Sequence, residues 1–464
     1  AYSKQYKKAF TSAYLKRHVG MGPGGPTGAP SAVNAPGSIY FINPSSTTGG
    51  SFFFSLDALG PAYYTHNHTA GAALNVRDNV TRGISGNIAT ANADATTYDQ
   101  VGKVGIGDLE ISDDGRYLFL VNFYDRKLYR IDLQNAISPV TPTAAQITTY
   151  AIPNPNAAGS LNAGEFRPFA LKFSRGKIYV GSVTSGQTAA SVSATVNTAM
   201  NAYVYSFDVA TGTFNTTPVL TFSLSHNRGT DADGINETWK PWTNQFNPQT
   251  IGTTGSSSLR GGIPQPMFAD IEIDATNGII LGFRDRFGDQ SGYQNLNPAG
   301  TYYFSGFAYG DVYRGQINCS GTWSIENNGT SNGITTAGAN NAQGPGGGEY
   351  YFQENAQTFQ LNQSLGGLAQ LMGDNNVLMS TVDPINLWSQ GVAKERYTDG
   401  TKTSGYEMEV TSQGLVLDGS FGKANGMGDV ELMLGAAPME VGNRIWYDTD
   451  GDGIQDSTES GIEN

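Results

Sequence analysis

Five carboxylates recur at set intervals in DTDGDGIQDSTE, which runs from Asp448 to Glu459. Counted from Asp448 they stand at positions 1, 3, 5, 9 and 12, as Asp448, Asp450, Asp452, Asp456 and Glu459. Position 7 is Ile454, which offers a backbone carbonyl, and position 6 is Gly453, which permits a sharp turn. Calcium is a hard cation that takes roughly six to eight oxygens, and a twelve-residue loop supplies them from this set of positions. Like charges at this density repel and do not enter an apolar core. A solvated acidic tail is the simpler reading, but such a tail has no reason to keep the register. The stretch is read as a calcium loop with Asp448, Asp450, Asp452, Ile454, Asp456 and Glu459 as ligands and calcium as the cofactor.

No helix pattern flanks the loop. VGNRIWYDTD precedes it, with Val441, Ile445, Trp446 and Tyr447 in a β-rich run. The stretch VGNRIWYDTDGDGIQDSTESGIEN (Val441–Asn464) resembles the opening strand and loop of an SdrD B-like domain, the B repeat of Sdr-type surface adhesins. The resemblance implies a calcium-stiffened, Ig-like module in a secreted or cell-surface bacterial protein. Residues 437–464 hold only its start, so the chain is expected to continue past Asn464.

Other residues invite chemistry less strongly. Three matched pairs, Asp108/Glu110, Asp270/Glu272 and Asp429/Glu431, occupy the same place in a recurring strand, where two further units carry Ala170/Lys172 and Leu368/Gln370. They are expected to be polar strand ends, or else an acidic funnel for a cation or sugar hydroxyls. FRDRFGDQSG (Phe283–Gly292) sets Arg284, Asp285, Arg286 and Asp289 together, and Arg–carboxylate pairs hold turns as readily as ligands. DADGINE (Asp231–Glu237) is an incomplete calcium register. His66 and His68 lack a spaced third ligand, which weakens a zinc site. GTSNG (Gly329–Gly333) matches a nucleophile elbow in letters only, with no strand before it or helix after it. The chain is expected not to be an enzyme.

The elements that hold these residues repeat. GDLEISDDGRYLFLVN, FALKFSRGKIYVGS, ADIEIDATNGIILGF and GLAQLMGDNNVLMST each read as strand, polar turn, strand, and Tyr- or Phe-bearing third strands follow. The separations are 62 residues from Asp108 to Ala170 and 100 from Ala170 to Asp270. An ordinary propeller blade takes about 40–50 residues, so the surplus belongs in long loops. The fold class is all-β: residues 38–436 are expected to form a β-propeller of five to seven blades with long loop insertions, closed by GDVELM (Gly428–Met433). Gly accounts for 60 of the 464 residues and charged residues for 14%, which favours short strands and turns over helices.

At the start, Tyr2, Tyr6, Phe10 and Tyr14 recur every fourth residue. Residues 1–20 are therefore expected to form a short aromatic and basic helix, docked on its own domain or on a partner. Residues 21–37 read as a Gly/Pro linker. Deleting 1–20 is expected to leave the large domain folded.

A net charge of −13 excludes a nucleic-acid footprint. No apolar run is long enough to span a membrane, and a single cysteine, Cys319, forms no internal disulfide. Together with the resemblance, this points to an extracellular, secreted or cell-surface localisation, and to a non-catalytic adhesin head that binds a protein or glycan. The alternatives are an extracellular glycan-active hydrolase or lyase on a propeller, and a structural subunit of a filament.

Overall fold

The chain is described from a computed structural model. The described residues are 1–21, 32–45, 49–69, 79, 82–85, 90–134, 138–156, 165–187, 200–254, 258–354, 359–371, 373–410, 421–433, 445–446 and 461–462. The calcium loop at 448–459 lies outside them, as do most of the start of the Ig-like module at 437–464 and much of the Gly/Pro stretch at 21–37.

Apolar alternation sets the architecture. In Leu118–Val121, Leu118 and Leu120 enter one core and Phe119 and Val121 another. In Ile279–Phe283, Ile279, Leu281 and Phe283 enter one core and Ile280 the next. A strand that is apolar on both faces belongs to a sheet covered on both sides. The chain accordingly builds five antiparallel meanders, four of them four-stranded and the third five-stranded.

The first joins β1 (Tyr2–Ser3), β2 (Lys8–Ser12), β3 (Ser38–Ile42) and β4 (Ser51–Ser55). The second joins β5 (Ile106–Ile111), β6 (Tyr117–Asn122), β7 (Lys127–Asp132) and β8 (Ile147–Ala151). The third runs β9 (Phe166–Ser174), β10 (Lys177–Thr184), β11 (Asn201–Asp208) and β12 (Thr213–Phe214), with β13 (Leu220–Ser223) also on β11. An insertion then supplies β14 (Gln249–Thr254) and β15 (Ser258–Gly262). The fourth meander begins with β16 (Pro266–Ile273) and β17 (Ile279–Asp285). After them come the one α-helix among the described residues, α1 (Arg286–Ser291), and β18 (Asn295–Leu296) and β19 (Tyr303–Gly306), which complete the inserted sheet. The fourth meander then resumes with β20 (Asp311–Ile317) and β21 (Trp323–Ile325). A two-stranded ladder, β22 (Thr330–Ser331) with β23 (Ile334–Thr335), precedes the fifth meander. That consists of β24 (Ser364–Gln370), β25 (Asn376–Val382), β26 (Ser389–Arg396) and β27 (Lys402–Val410).

Successive sheets stack face to face. Phe10, Ile39 and Phe54 meet Ile106, Leu118 and Tyr129. Phe119 and Leu128 meet Leu171, Ile178 and Phe207. Val204 and Phe222 meet Ile271, Leu281 and Phe283. Ile280 and Val312 meet Leu368, Val377 and Met379. The first strands of neighbouring sheets touch in order, β5 with β9, β9 with β16 and β16 with β24. The fourth and fifth sheets approach closely: a Cβ on Gly282 of β17 would stand 2.2 Å from the Gly366 carbonyl oxygen, and Gly366 itself has φ +85°, a region that favours glycine.

The N-terminus corrects the expected helix. Tyr2–Ser3 and Lys8–Ser12 are strands, paired antiparallel through Tyr2–Ala9 and Ser3–Lys8, and β2 pairs with β3. Tyr6 and Phe10 are buried in the core between the first two sheets, so the aromatic face docks on its own chain. Residues 32–37 of the expected linker form a 3₁₀ turn.

At the other end, β28 (Ile445–Trp446) and β29 (Gly461–Ile462) pair antiparallel, Ile445 with Ile462, and so bracket residues 448–459. No helix among the described residues is long and apolar enough to cross a membrane.

Candidate functional site

Two of the matched pairs stand on first strands, Asp108/Glu110 on β5 and Asp270/Glu272 on β16, each beside a register shift, whereas Asp429/Glu431 lie in a segment that forms no strand, contrary to the expected strand at Gly428–Met433. Pairing of β5 shifts between Ile106 and Leu109, and that of β16 between Phe268 and Asp270. Asp108 then accepts from its neighbour Leu109 N at 2.7 Å with one oxygen, and from Leu171 N on β9 at 2.8 Å with the other. Asp270 repeats the arrangement, accepting from Ile271 N at 2.7 Å and from Leu368 N on β24 at 2.6 Å. Each aspartate thus fastens its own sheet to the first strand of the next. Asp429 accepts from Val430 N at 2.7 Å and also hydrogen-bonds the Asp270 carboxyl.

Two carboxyl groups can share a hydrogen bond only if one keeps its proton. Burial, with Asp429 and Asp108 beside it, holds Asp270 well above the usual carboxylate range. Asp108 is raised for the same reasons, burial first and then Asp429 and Glu110. The three predicted aspartates therefore converge.

The glutamates form a second layer. Lys172 Nζ lies 2.8 Å from Glu272 Oε1 and 3.7 Å from Glu110 Oε1. Burial raises Glu110 to about 7, against the pull of Lys172. Glu110, Lys172, Glu272 and Glu431 line one cleft; Asp108, Asp429, Tyr14, Lys16 and Arg284 line another. The layer can bind polar groups at its solvent side, where Glu431 is exposed. The aspartates are less available for acid–base work, because Asp108 and Asp270 have both oxygens engaged by backbone N–H groups.

The Arg–Asp stretch is structural. Asp285 caps α1 by accepting from Phe287 N at 2.9 Å. Arg284 pairs with Asp289 at 3.0 Å, and Tyr14 donates to Asp289 at 2.7 Å. Arg286 donates to the carbonyls of Val101 at 2.9 Å and Thr243 at 3.0 Å. The incomplete register at Asp231–Glu237 is not gathered around a cation site. Asp231 accepts from Ile235 N and Tyr309, Asp233 faces Arg260, and Glu237 accepts from Leu361 N and Asn362.

Two groups among the described residues have the spacing to hold a metal. The first is Asp57, His66 and His68, so the fold supplies the third ligand that the sequence left out. His68 Nε2 lies 3.0 Å and His66 Nδ1 3.3 Å from Asp57 Oδ1. Thr65 donates to the same carboxylate through its N–H at 2.8 Å and its hydroxyl at 2.6 Å. Thr65 and His68 hydrogen-bond the carboxylate, while both buried ring nitrogens of His66 have no hydrogen-bond partner among the described residues. The second group is Asp311, Glu349 and Glu354. Sequence reading missed it because its members come from separate segments with no shared register. The six C-terminal loop positions lie outside the described residues.

No family model matches the chain. It is similar to Colossin-A of Dictyostelium discoideum, 28% identical over 376 residues that cover 76% of this chain and 3% of that protein. It is similar also to Colossin-C of the same organism, 23% identical over 387 residues, 79% of this chain and 34% of that protein. A shorter similarity, 35% over 89 residues, links 19% of the chain with 7% of serine-aspartate repeat-containing protein D from Staphylococcus aureus strain Newman. The chain thus spans about a third or less of the curated relatives it matches. A solved structure of a Lactobacillus plantarum protein superposes with a TM-score of 0.33 at 8% identity, over 82% of this chain and 67% of that one; a superposition so loose assigns neither fold nor activity.

Proposed function

We propose that the chain is the non-catalytic head of a large extracellular surface or secreted protein, a five-bladed β-propeller that binds a protein or glycan partner. The five meanders would be the blades, and Gly428–Glu431 the segment that closes the ring. Its Asp429 abuts Gly367 of the fifth sheet, where a Cβ would stand 2.7 Å from the Asp429 Cα, and its Glu431 lies 3.5 Å from the Ala1 nitrogen beside the first sheet. Similarity to serine-aspartate repeat-containing protein D over 89 residues supports the placement in a surface protein. An SdrD B-like module would follow, with Asp448, Asp450, Asp452, Ile454, Asp456 and Glu459 holding calcium and stiffening the junction.

The observation that carries the non-catalytic reading is the engagement of both oxygens of Asp108 and of Asp270 by backbone N–H groups. A general acid or base needs an oxygen free to reach substrate. Such staples position strands, and the solvent side of the acidic layer is left for recognition.

The test pairs turnover with binding. The chain is incubated with uronate-containing, sialylated and neutral polysaccharides, and released reducing ends are measured. The same polysaccharides and a set of extracellular matrix proteins are immobilised for binding. Saturable binding without turnover is expected. Turnover that disappears in Asp270→Asn would overturn the proposal and establish the glycan-active enzyme.

A further inference from the structure

Between the fourth and fifth sheets lies a carboxylate group that involves neither Asp108, Asp270 and Asp429 nor the C-terminal loop. Asp311 opens β20, and Glu349 and Glu354 bracket Tyr350 and Tyr351, which sit fully buried in the core of that interface. One oxygen from each of the three carboxyl groups lies within 4.8 Å of the others. The residues are 1%, 3% and 1% exposed. Three carboxylates removed from water so close together repel strongly unless a positive charge sits among them.

Protein donors leave them short. Glu354 accepts from Val312 N at 2.7 Å with one oxygen, and its other oxygen, buried, has no hydrogen-bond partner among the described residues. Asp311 takes Arg228 Nε at 2.6 Å on Oδ2, while its buried Oδ1 has none. Tyr313, whose hydroxyl also faces Asp311, accepts from Trp239 and is bonded to His226. Glu349 is met by Asn341 Nδ2 only at 3.5 Å. Glu395, fully buried and close enough to act on both glutamates, has neither oxygen bonded.

The two nearby arginines spend most of their donors elsewhere. The remaining guanidinium nitrogens of Arg228 donate to the carbonyls of Glu237, Tyr309 and Gly310. Arg314 serves Asp274, Tyr350 and Tyr397. Lys402 faces Glu395 and Glu354, a single positive charge beside four carboxyl groups, and its buried Nζ hydrogen-bonds none of them.

We propose that Asp311, Glu349 and Glu354 bind one divalent cation, calcium, as a buried structural site that ties β20 to the 349–354 segment. The ligand set is oxygen only, with no imidazole or thiolate to favour zinc or copper. Oxygens that all lie within 4.8 Å of one another can reach a single ion at the calcium bond length of about 2.4 Å. Magnesium, at about 2.1 Å, draws its ligands closer and keeps several waters, which a site this buried does not favour. Glu395 stands next to the three as a reserve acceptor.

The test uses the whole chain carrying Asp448→Ala and Glu459→Ala, so that the C-terminal loop contributes no calcium. After dialysis against EDTA, bound metal is counted and thermal unfolding is followed with and without calcium chloride. One calcium per chain and a Tm raised by several degrees are expected. Glu349→Gln with Glu354→Gln, added to the same chain, should still fold and should lose both the bound calcium and the calcium-dependent rise. Glutamine keeps the shape and removes the repulsion, so the two explanations diverge. If shared protons rather than calcium quiet the group, the parent binds no calcium and its Tm is the same in EDTA and in calcium. That outcome, or a larger rise with magnesium chloride than with calcium chloride, would overturn the proposal.

Discussion

Asp270 shows how one side chain fixes two sheets. It accepts from a backbone N–H of its own strand and from one on β24, and it is 6% exposed. Removing it strands two buried donors, each of which costs on the order of 1–3 kcal/mol. Asp270→Ala is expected to cost about 2–4 kcal/mol in urea unfolding, more than Glu431→Ala at the exposed end of the same layer. Glu110 carries a pH dependence. Its folded pKa is raised to about 7 from the ordinary 4.5, chiefly by burial. Between those values the folded state holds a proton that the unfolded chain has released, so stability falls as pH rises through the window. Glu110→Gln is expected to flatten that fall and to be more stable than the parent at pH 8 by about 1–3 kcal/mol. Equal pH profiles for the two proteins, by thermal melts from pH 4 to 8, would count against the assignment. These carboxylates were legible because they recur at one place in a repeating strand. The fifth sheet was misaligned by one residue. Asp108 bonds Leu171 N and Asp270 bonds Leu368 N, so Gly367 and Ala369, not Leu368 and Gln370, match Ala170 and Lys172. The glycine-rich shift at Ser364–Leu368 hides that register from a reader counting residues.

Strands were easier to read than their starting point. Meanders such as Ile106–Asp132 announce themselves by apolar runs and polar turns, and they fold as expected. The N-terminal segment did not, because a spacing of four is even. Tyr2, Tyr6, Phe10 and Tyr14 share one face of a helix only loosely, and an even spacing equally suits the two-residue period of a strand. Lys7, at φ 51°, turns the chain back between β1 and β2, and the gain comes from Phe10 entering the core between two sheets. Phe10→Ala is expected to cost about 3–5 kcal/mol, measured by denaturant unfolding. Deletion of residues 1–20 removes more than an appendage. It takes away β1, β2 and the buried Arg17, which donates to the carbonyls of Gln290 at 2.7 Å and Leu296 at 2.6 Å. The truncated chain should therefore fail to fold cooperatively; a truncation that melts at the parent temperature would restore the docked-appendage view.

At the scale of the molecule, the question is how the last sheet is held against the rest, and the answer lies in an irregular segment, Phe421–Met433. It forms no strand, so no periodicity marked it beyond the short GDVEL pattern at its end. Yet it is pinned from several directions. Ala308 N donates to the Lys423 carbonyl at 2.8 Å, Asn425 Nδ2 to the Asp285 carbonyl at 2.6 Å, and Arg284 to the Met427 carbonyl at 2.8 Å. Gln390 of β26 donates to the carbonyls of Gly422 at 3.0 Å and Ala424 at 2.6 Å. The segment thus joins the fourth sheet and α1 to the fifth sheet before it reaches Asp108 and Asp270. Its most heavily committed side chain is Lys423, whose ammonium pairs with Asp383 with both groups buried, and donates to Gln360 at 2.8 Å. Breaking such a pair on one side leaves a charge without a partner in the interior, which costs about 3–5 kcal/mol. Lys423→Met is expected to lose that much stability and to split the single unfolding transition, with the fifth sheet released first. Adding Asp383→Asn should recover part of the loss, since the stranded charge is gone while the Asn oxygen still accepts from Trp388 N. If Lys423→Met melts as one unit at the parent temperature, the segment is a passive strap and the fifth sheet is held by the core around Ile280, Val312 and Leu368 alone.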